Sequence, residues 1–292
     1  MKILITGANG QLAREFLRLL KNHQVEALTK RQLDISDNKA VLSVVSSYKP
    51  DIILNCSAYN LVDMAEDNLE AALRVNADGV RNLASVSKKY HALLVHYSTD
   101  YVFDGTKDDF YKEEDTPNPI NNYGKSKLIG ERMLAEETDD FLLFRTSWVF
   151  GEGDQNFLHK LAEWAKLNRV LKIVYDQISI PTCTEDIAQI TMLAIEKGLR
   201  GVYHLTNSGY ASRYEVARYF IERLDMDNLI LPVSSDFFPA AAKRPYFSAL
   251  SNSKLSKELG INIPKWQNGI DVHLNNYSKY SIIPPPTTIS SL

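Results

Sequence analysis

Residues 3–13 read Ile3-Leu4-Ile5-Thr6-Gly7-Ala8-Asn9-Gly10-Gln11-Leu12-Ala13. An apolar run, then Gly7 and Gly10, then a segment of helical period describe a buried strand, a tight turn and a helix. The glycine at the strand end permits the turn, and the second lets backbone N–H groups come close to a ligand. A small third residue, here Ala13, lets helix and strand pack closely. The free N–H groups and positive dipole end of such a helix attract phosphate. Gly7, Asn9, Gly10, Gln11 and Leu12 are therefore expected to cradle the pyrophosphate of a dinucleotide.

Outward from this stretch, short apolar runs recur at Ile52 to Leu54, Leu93 to Val95 and Phe141 to Phe144. Each is near-continuous rather than alternating, as parallel strands buried on both faces require. Segments of helical period separate them. Gln11 to Lys21 places Leu12, Phe16, Leu19 and Leu20 on one stripe, and Ala65 to Lys89 repeats Ala, Leu and Val at similar spacing. Strands alternating with helices specify βαβ units and a parallel sheet. The expected fold is α/β: a Rossmann doubly wound parallel sheet over residues 1–150, with a smaller mixed α/β substrate-binding lobe mainly over 151–275. A helix over Thr184 to Glu196 and a strand over Gly201 to Leu205 are expected to return to the first domain, near 184–206. Residues 278–292 contain Pro284-Pro285-Pro286 and several Ser and Thr without apolar period, and read as a loosely ordered tail.

The 292 residues carry a formal net charge of -3, which provides no basic field for nucleic acid. The N-terminal apolar run is too short for a signal peptide, and no stretch approaches roughly 18 consecutive apolar residues. The expectation is a cytoplasmic chain with neither a nucleic-acid nor a membrane partner. Cys56 and Cys183 have no spacing suited to a disulfide framework or a zinc site and read as buried small hydrophobes. No metal site is expected.

The spacing G-x-x-G-x-x-A at Gly7 resembles the extended short-chain dehydrogenase/reductases. Tyr123-Gly-Lys-Ser-Lys127 is the second constellation. Tyr123 and Lys127, four residues apart on a helix, share a face, whereas Lys125 lies on another. A phenol with pKa of about 10 is a poor proton carrier near neutrality, and a neighbouring ammonium would stabilise phenolate. Tyr123 can then protonate an alkoxide as hydride arrives, while Lys127 also bonds the nicotinamide ribose. A lone Tyr-x-x-x-Lys also arises in ordinary amphipathic helices; its coincidence with the phosphate loop is what gives it weight. Between the two lies a strand ending in His96-Tyr97-Ser98-Thr99-Asp100. A hydroxyl at the carboxyl end of a strand faces the ligand crevice of an open sheet. Thr99 is the first choice to polarise a carbonyl, with Ser98 the alternative. After the second strand, Thr29-Lys30-Arg31 stands where an acid would select NAD. The cations either hold a 2′-phosphate or form a solvated turn; the reading favours NADPH, with NADH tolerated.

The motifs together resemble the dTDP-4-dehydrorhamnose reductase family through about residue 275. The carriers are the phosphate loop, Ser57-Ala-Tyr-Asn-Leu-Val-Asp-Met-Ala-Glu66, Ser98-Thr-Asp-Tyr-Val-Phe-Asp-Gly105, Tyr123 to Lys127, Arg145-Thr-Ser-Trp-Val-Phe-Gly151 and Arg244-Pro-Tyr-Phe-Ser-Ala-Leu250. Ala13 and Ser179 stand where the family commonly has Gly. The resemblance implies reduction of the 4-keto group of a nucleotide-linked 6-deoxysugar. It implies that Asp34 and Ile35 lie on the adenine side and that Ser57, Ala58 and Tyr59 line the cofactor cleft. It places Val62, Asp100, Tyr101 and Trp148 around the sugar, with Asn156 and Arg244 helping to hold the nucleotide diphosphate. It also implies a metal-linked homodimer, but the acidic residues of such a link cannot be paired from one sequence. A dehydratase would need an acid and a base beside the threonine, and Tyr101 after Asp100 disfavours it. A 4-epimerase with retained NAD shares the same core, and retention of Thr99, Tyr123 and Lys127 favours turnover over a non-catalytic NADP-binding subunit.

Overall fold

The computed structural model describes residues 1–278, so the expected tail lies outside the described residues apart from Ser278, which ends a helix. The first half runs β1 (Lys2–Thr6), α1 (Gln11–Leu19), β2 (Gln24–Leu28), α2 (Asn38–Tyr48), β3 (Ile52–Asn55), α3 (Met64–Asp67), α4 (Leu69–Leu73), α5 (Gly79–Tyr90), β4 (Leu93–Thr99), α6 (Asn122–Glu137) and β5 (Phe141–Thr146). The second half runs β6 (Val149–Phe150), α7 (Phe157–Leu167), β7 (Val170–Val174), β8 (Ile178–Ser179), β9 (Thr182–Cys183), α8 (Thr184–Glu196), β10 (Gly201–His204), β11 (Ala211–Ser212), α9 (Arg213–Arg223), β12 (Leu229–Val233), α10 (Ser253–Leu259) and α11 (Trp266–Ser278).

Six strands form one sheet in the order β10-β5-β4-β3-β1-β2, with every pairing parallel. The near-continuous apolar runs have the expected cause, since β3, β4 and β5 are buried along their whole length. From β1 the chain winds first to β2 and then back past β1 to β3. Strand order therefore reverses between β1 and β3, and a crevice opens at their carboxyl ends.

Each face of the sheet is covered by a separate core. On one, Ala13 and Phe16 of α1 meet Ile187, Ile190 and Ala194 of α8 and Leu255 and Leu259 of α10. On the other, Val41 and Val45 of α2 meet Val80, Leu83 and Ala84 of α5. The stripe expected on α1 needs one correction: Leu19 is 42% exposed, and Ala13 is buried in its place. The periodic run over Ala65 to Lys89 is also not one helix. Asn68 leaves helical geometry at φ -140° and caps α4 through the Ala71 amide, and a π turn at Arg74–Asp78 joins α4 to α5.

A third core lies beyond Val149 and includes Leu158 and Leu161 of α7, Phe220 and Ile221 of α9, and Trp266 and Ile270 of α11. Its strands pair in twos, β7 with β12 and β6 with β9 in parallel, β8 with β11 antiparallel. Among the described residues no helix is long and apolar enough to cross a membrane.

Candidate active site

Gly7 has φ +69°, and a Cβ there would stand 2.8 Å from the backbone of Cys56 and Ser57. Glycine alone lets the turn lie against the end of β3. The Gly10 amide donates to the Gly7 carbonyl at 2.9 Å. Gly10 starts α1 in an extended conformation with no side-chain cap, leaving the first amides of the helix for a ligand. Gln11 spends its carboxamide on the Val149 carbonyl at 3.0 Å and ties the loop to β6. Gly10, Gln11 and Leu12 line a crevice of about 290 Å³ with Cys56, Ser57 and Ala58 from the end of β3. Cys56 is thus a half-buried wall residue rather than a buried core residue, while Cys183 is buried in the third core. Asn9 is exposed.

Lys30 and Arg31 are exposed just beyond β2. Asp34 accepts from the Ser36 amide and hydroxyl at 3.0 and 2.7 Å. Burial pushes its carboxyl up, but the Ser36 bonds, then Lys30 and Arg74, outweigh burial and leave its pKa lowered. Arg74 stands 3.6 Å from it, a third cation on this rim that the sequence did not single out. Ile35 is 2% exposed and belongs to the sheet core. Tyr59 is clasped by its backbone: its amide donates to Asn76 Oδ1 at 2.8 Å, and Asn76 Nδ2 donates to its carbonyl at 3.0 Å. Asn76 also donates to Ser126 at 3.0 Å, so the π turn that carries it fastens the cleft wall to α6.

Thr99, Tyr123 and Lys127 reach the same crevice as the phosphate loop. Asn121 caps α6 through the Gly124 amide at 2.7 Å. A Cβ at Gly124 would meet the Tyr101 carbonyl at 2.1 Å, so glycine lets the start of α6 press onto the turn after β4. Burial pushes the Tyr123 phenol well above its ordinary pKa; a Thr99 hydrogen bond opposes this, and Asp100 and Tyr101 add to it. Lys127 is 1% exposed, and its Nζ donates to the Tyr97 carbonyl at 2.6 Å. The ammonium is turned to that carbonyl, and burial rather than a cation sets the state of Tyr123. Burial pulls Lys127 down to about 8 against the pull of Glu131. Glu131, one turn further along α6, is held by Arg145 of β5 at 2.8 Å in a buried ion pair.

Behind Lys127 lies a buried polar chain that the sequence reading left without a role. The Ser57 amide and Thr6 hydroxyl both donate to Asn55 Oδ1, at 3.1 and 2.7 Å, which turns Asn55 Nδ2 toward His96 Nδ1 at 3.0 Å. His96 Nε2 is 3.4 Å from Lys127 Nζ, and burial first, then Lys127, hold this imidazole well below its usual pKa. The readable signal was a polar residue closing each of two apolar runs, Ile-Ile-Leu-Asn55 and Leu-Leu-Val-His96.

The expected substrate residues divide. Asp100 and Trp148 line the crevice, whereas Val62 is half-buried and lies off its wall. Tyr101 packs edge-on against Tyr123 with ring centres 6.0 Å apart. Asp100 receives hydrogen bonds from Ser179 at 2.8 Å, Ser248 at 2.6 Å and Thr99 at 3.1 Å, so it joins β4 to the second lobe. Burial nevertheless raises it to about 6. Trp148 adopts φ +40°, which bulky residues avoid. Asn156 caps α7 through the His159 amide at 3.0 Å and donates to the Gly151 and Gly153 carbonyls. Arg244 pairs with Asp63 through two bonds of 3.0 and 2.7 Å.

A nicotinamide dinucleotide suits this crevice on two observations. The uncapped start of α1 fits a pyrophosphate, and two buried hydroxyls on the crevice wall, Ser98 Oγ and Thr146 Oγ1, have no hydrogen-bond partner.

Comparison with known proteins agrees with this geometry. Residues 1–279 match the RmlD substrate binding domain family. A dTDP-4-dehydrorhamnose reductase of Burkholderia thailandensis is 39% identical over 285 residues, covering 91% of this chain and 96% of that protein. The spore coat polysaccharide biosynthesis protein SpsK of Bacillus subtilis is 37% identical, covering 95% of this chain and 98% of that protein. The crystal structure of dTDP-4-dehydrorhamnose reductase from Bacillus anthracis in complex with NADP superimposes with a TM-score of 0.92 at 35% identity, covering 94% of this chain and 99% of that one. With the phosphate loop, the Thr99, Tyr123 and Lys127 cluster and near full-length similarity in hand, the chain belongs to the dTDP-4-dehydrorhamnose reductase family.

Proposed function

We propose that this chain is an NADPH-dependent reductase of the 4-keto group of a nucleotide-linked 6-deoxysugar, converting dTDP-4-dehydrorhamnose to dTDP-L-rhamnose and tolerating NADH. The observation that carries the reading is the meeting of Thr99, Tyr123 and Lys127 with Gly10, Gln11 and Leu12 in one crevice. In this reading residues 1–150, with the returning 184–206, hold the cofactor, and 151–275 mainly hold the sugar nucleotide. The work is done in the cytoplasm.

Bound NADPH supplies the hydride. Tyr123 is the proton donor: burial keeps its phenol protonated, so the proton is in place when the keto oxygen gains charge. The Thr99 hydroxyl accepts from the Tyr101 amide at 3.2 Å and donates its one proton to Asp100 at 3.1 Å, and turning that proton to the keto oxygen would stabilise the developing charge. Lys127 would hold the nicotinamide ribose, and turning its ammonium from the Tyr97 carbonyl would favour the phenolate left behind. Gly10 to Leu12 would take the pyrophosphate, and Lys30 and Arg31, with Arg74 beside them, would take the 2′-phosphate.

The test is incubation of the purified protein with either cofactor and a panel of nucleotide 4-keto-6-deoxysugars, with identification of the products. Turnover of dTDP-4-dehydrorhamnose and NADPH binding at least as tight as NADH are expected. Absence of binding by both cofactors would remove the enzymatic reading, and a strong NADH preference would remove only the role of Lys30 and Arg31.

A further inference from the structure

Arg213, the first residue of α9, was not singled out by any sequence motif, yet it is stacked against two aromatic rings. Its guanidinium lies 4.2 Å from the centre of the Trp148 ring and 5.1 Å from that of Phe157. Among the described residues none of the ion pairs includes it. The acid nearest to it in sequence, Glu215, is turned back on Ser212, accepting from its amide and hydroxyl at 2.7 and 2.8 Å. Asp100 acts on it electrostatically, but that carboxylate already receives three hydroxyls. Its hydrogen-bond partner is the phenol of Tyr101, to which Arg244 also donates.

Arg213 is half-buried, and a cation partly withdrawn from water ordinarily has a carboxylate partner, because lost hydration is costly. Here burial and the like charge of Arg244 depress the Arg213 pKa, and Tyr101 and Asp100 only partly oppose them. Stacking on aromatic rings occupies the faces of a guanidinium and leaves its in-plane N–H fork for an acceptor. The guanidinium lies over Trp148, which lines the crevice holding Tyr123 and Lys127. Arg244 is in the opposite situation. Both of its terminal nitrogens bond Asp63, one of them also bonds the Ala242 carbonyl at 2.9 Å, and the Ala242 amide donates to Asp63 at 3.1 Å.

We propose that Arg213, seated on Trp148, is the cation that receives the diphosphate of the nucleotide-linked sugar, and that Arg244 instead holds residues 242–244 to the loop after β3 through Asp63. The assignment rests on the nucleotide-sugar reading above. It explains why a cation that has no ion pair among the described residues, and more N–H donors than the Tyr101 phenol can accept, lies over Trp148 of the crevice wall.

The probes are dTDP and thymidine, which differ only in the diphosphate, titrated into the full chain by calorimetry. The wild type should bind dTDP far more tightly than thymidine. Arg213→Met should weaken dTDP between about 10- and 100-fold, as loss of hydrogen bonds to a charged group does, with thymidine and NADPH affinities unchanged. Arg213→Lys, which keeps the charge and loses the fork, should fall between, and it serves alone should the Met variant not fold. Arg244→Met should leave dTDP affinity within threefold and lower the melting temperature. If the Arg213 variants bind dTDP within threefold of wild type, or if the wild type binds dTDP and thymidine equally well, the assignment is overturned and the reductase reading survives. If the wild type binds NADPH but neither thymidine compound, both are overturned.

Discussion

At the scale of single residues, the crevice combines a phenol, an amine and a carboxyl whose protonation states are set mainly by burial. Tyr123→Phe keeps the ring and removes only the acidic proton. Turnover should fall by about 100- to 10,000-fold, the usual share of general acid catalysis, while NADPH affinity and melting stay near wild type. Unchanged turnover in a rate assay would dismiss Tyr123 as the donor. Asp100 makes a prediction about stability. Its folded pKa is raised from 3.8 to about 6, so the folded chain holds this proton more tightly than the unfolded chain does. The contribution of this group to stability therefore declines as pH rises between those values, by about 3 kcal/mol in all. Asp100→Asn keeps an acceptor for Ser179 and Ser248 and has no charge to bury. Its melting temperature should exceed the wild type's above pH 6, and the gain should vanish near pH 4; an equal difference at both pH values would contradict this.

Elements supply the geometry that single residues need. The strands could be read from sequence because β3, β4 and β5 are buried on both faces and must be apolar throughout. The breaks within 65–89 could not, because a period of apolar residues does not register them. Asn68 ends one helix by capping the next, and the π turn is fixed by Asn76 reaching Tyr59 and Ser126 on other segments. The Tyr123 and Lys127 spacing was legible, but the direction of the Lys127 ammonium was not. It depends on Tyr97 and His96 of β4 and, through His96, on Asn55 of β3. Arg213 was invisible for the same reason, since Trp148, Phe157 and Tyr101 come from three distant segments. The α6 register itself rests on the pair of Glu131 with Arg145, both under 10% exposed. Glu131→Gln leaves Arg145 as an unpaired buried charge and should cost roughly 3–5 kcal/mol in denaturant unfolding. It should also lower the Lys127 pKa further, because Glu131 is the charge that supports it. A loss under 1 kcal/mol would show that the pair does not hold α6.

For the whole molecule, the functional arrangement is a division of labour across one crevice. The reversal of strand order between β1 and β3 opens the phosphate site, and β10 and α8 return to complete the sheet and its core after β6–β9 have left it. The second lobe is tied to the first by Asp100 with Ser179 and Ser248, and by Asp63 with Arg244. Of these, Asp100 also lines the crevice that holds Thr99, Tyr123 and Lys127, across which the proposed hydride transfer runs. The most direct test of that transfer uses NADPH carrying deuterium at the reactive carbon of the nicotinamide, with dTDP-4-dehydrorhamnose as substrate and analysis of the sugar by NMR. One deuterium at carbon 4 of the product, matched by one equivalent of oxidised cofactor, is the predicted result. An unlabelled sugar, or a label that stays with the cofactor while the sugar is epimerised, would contradict it.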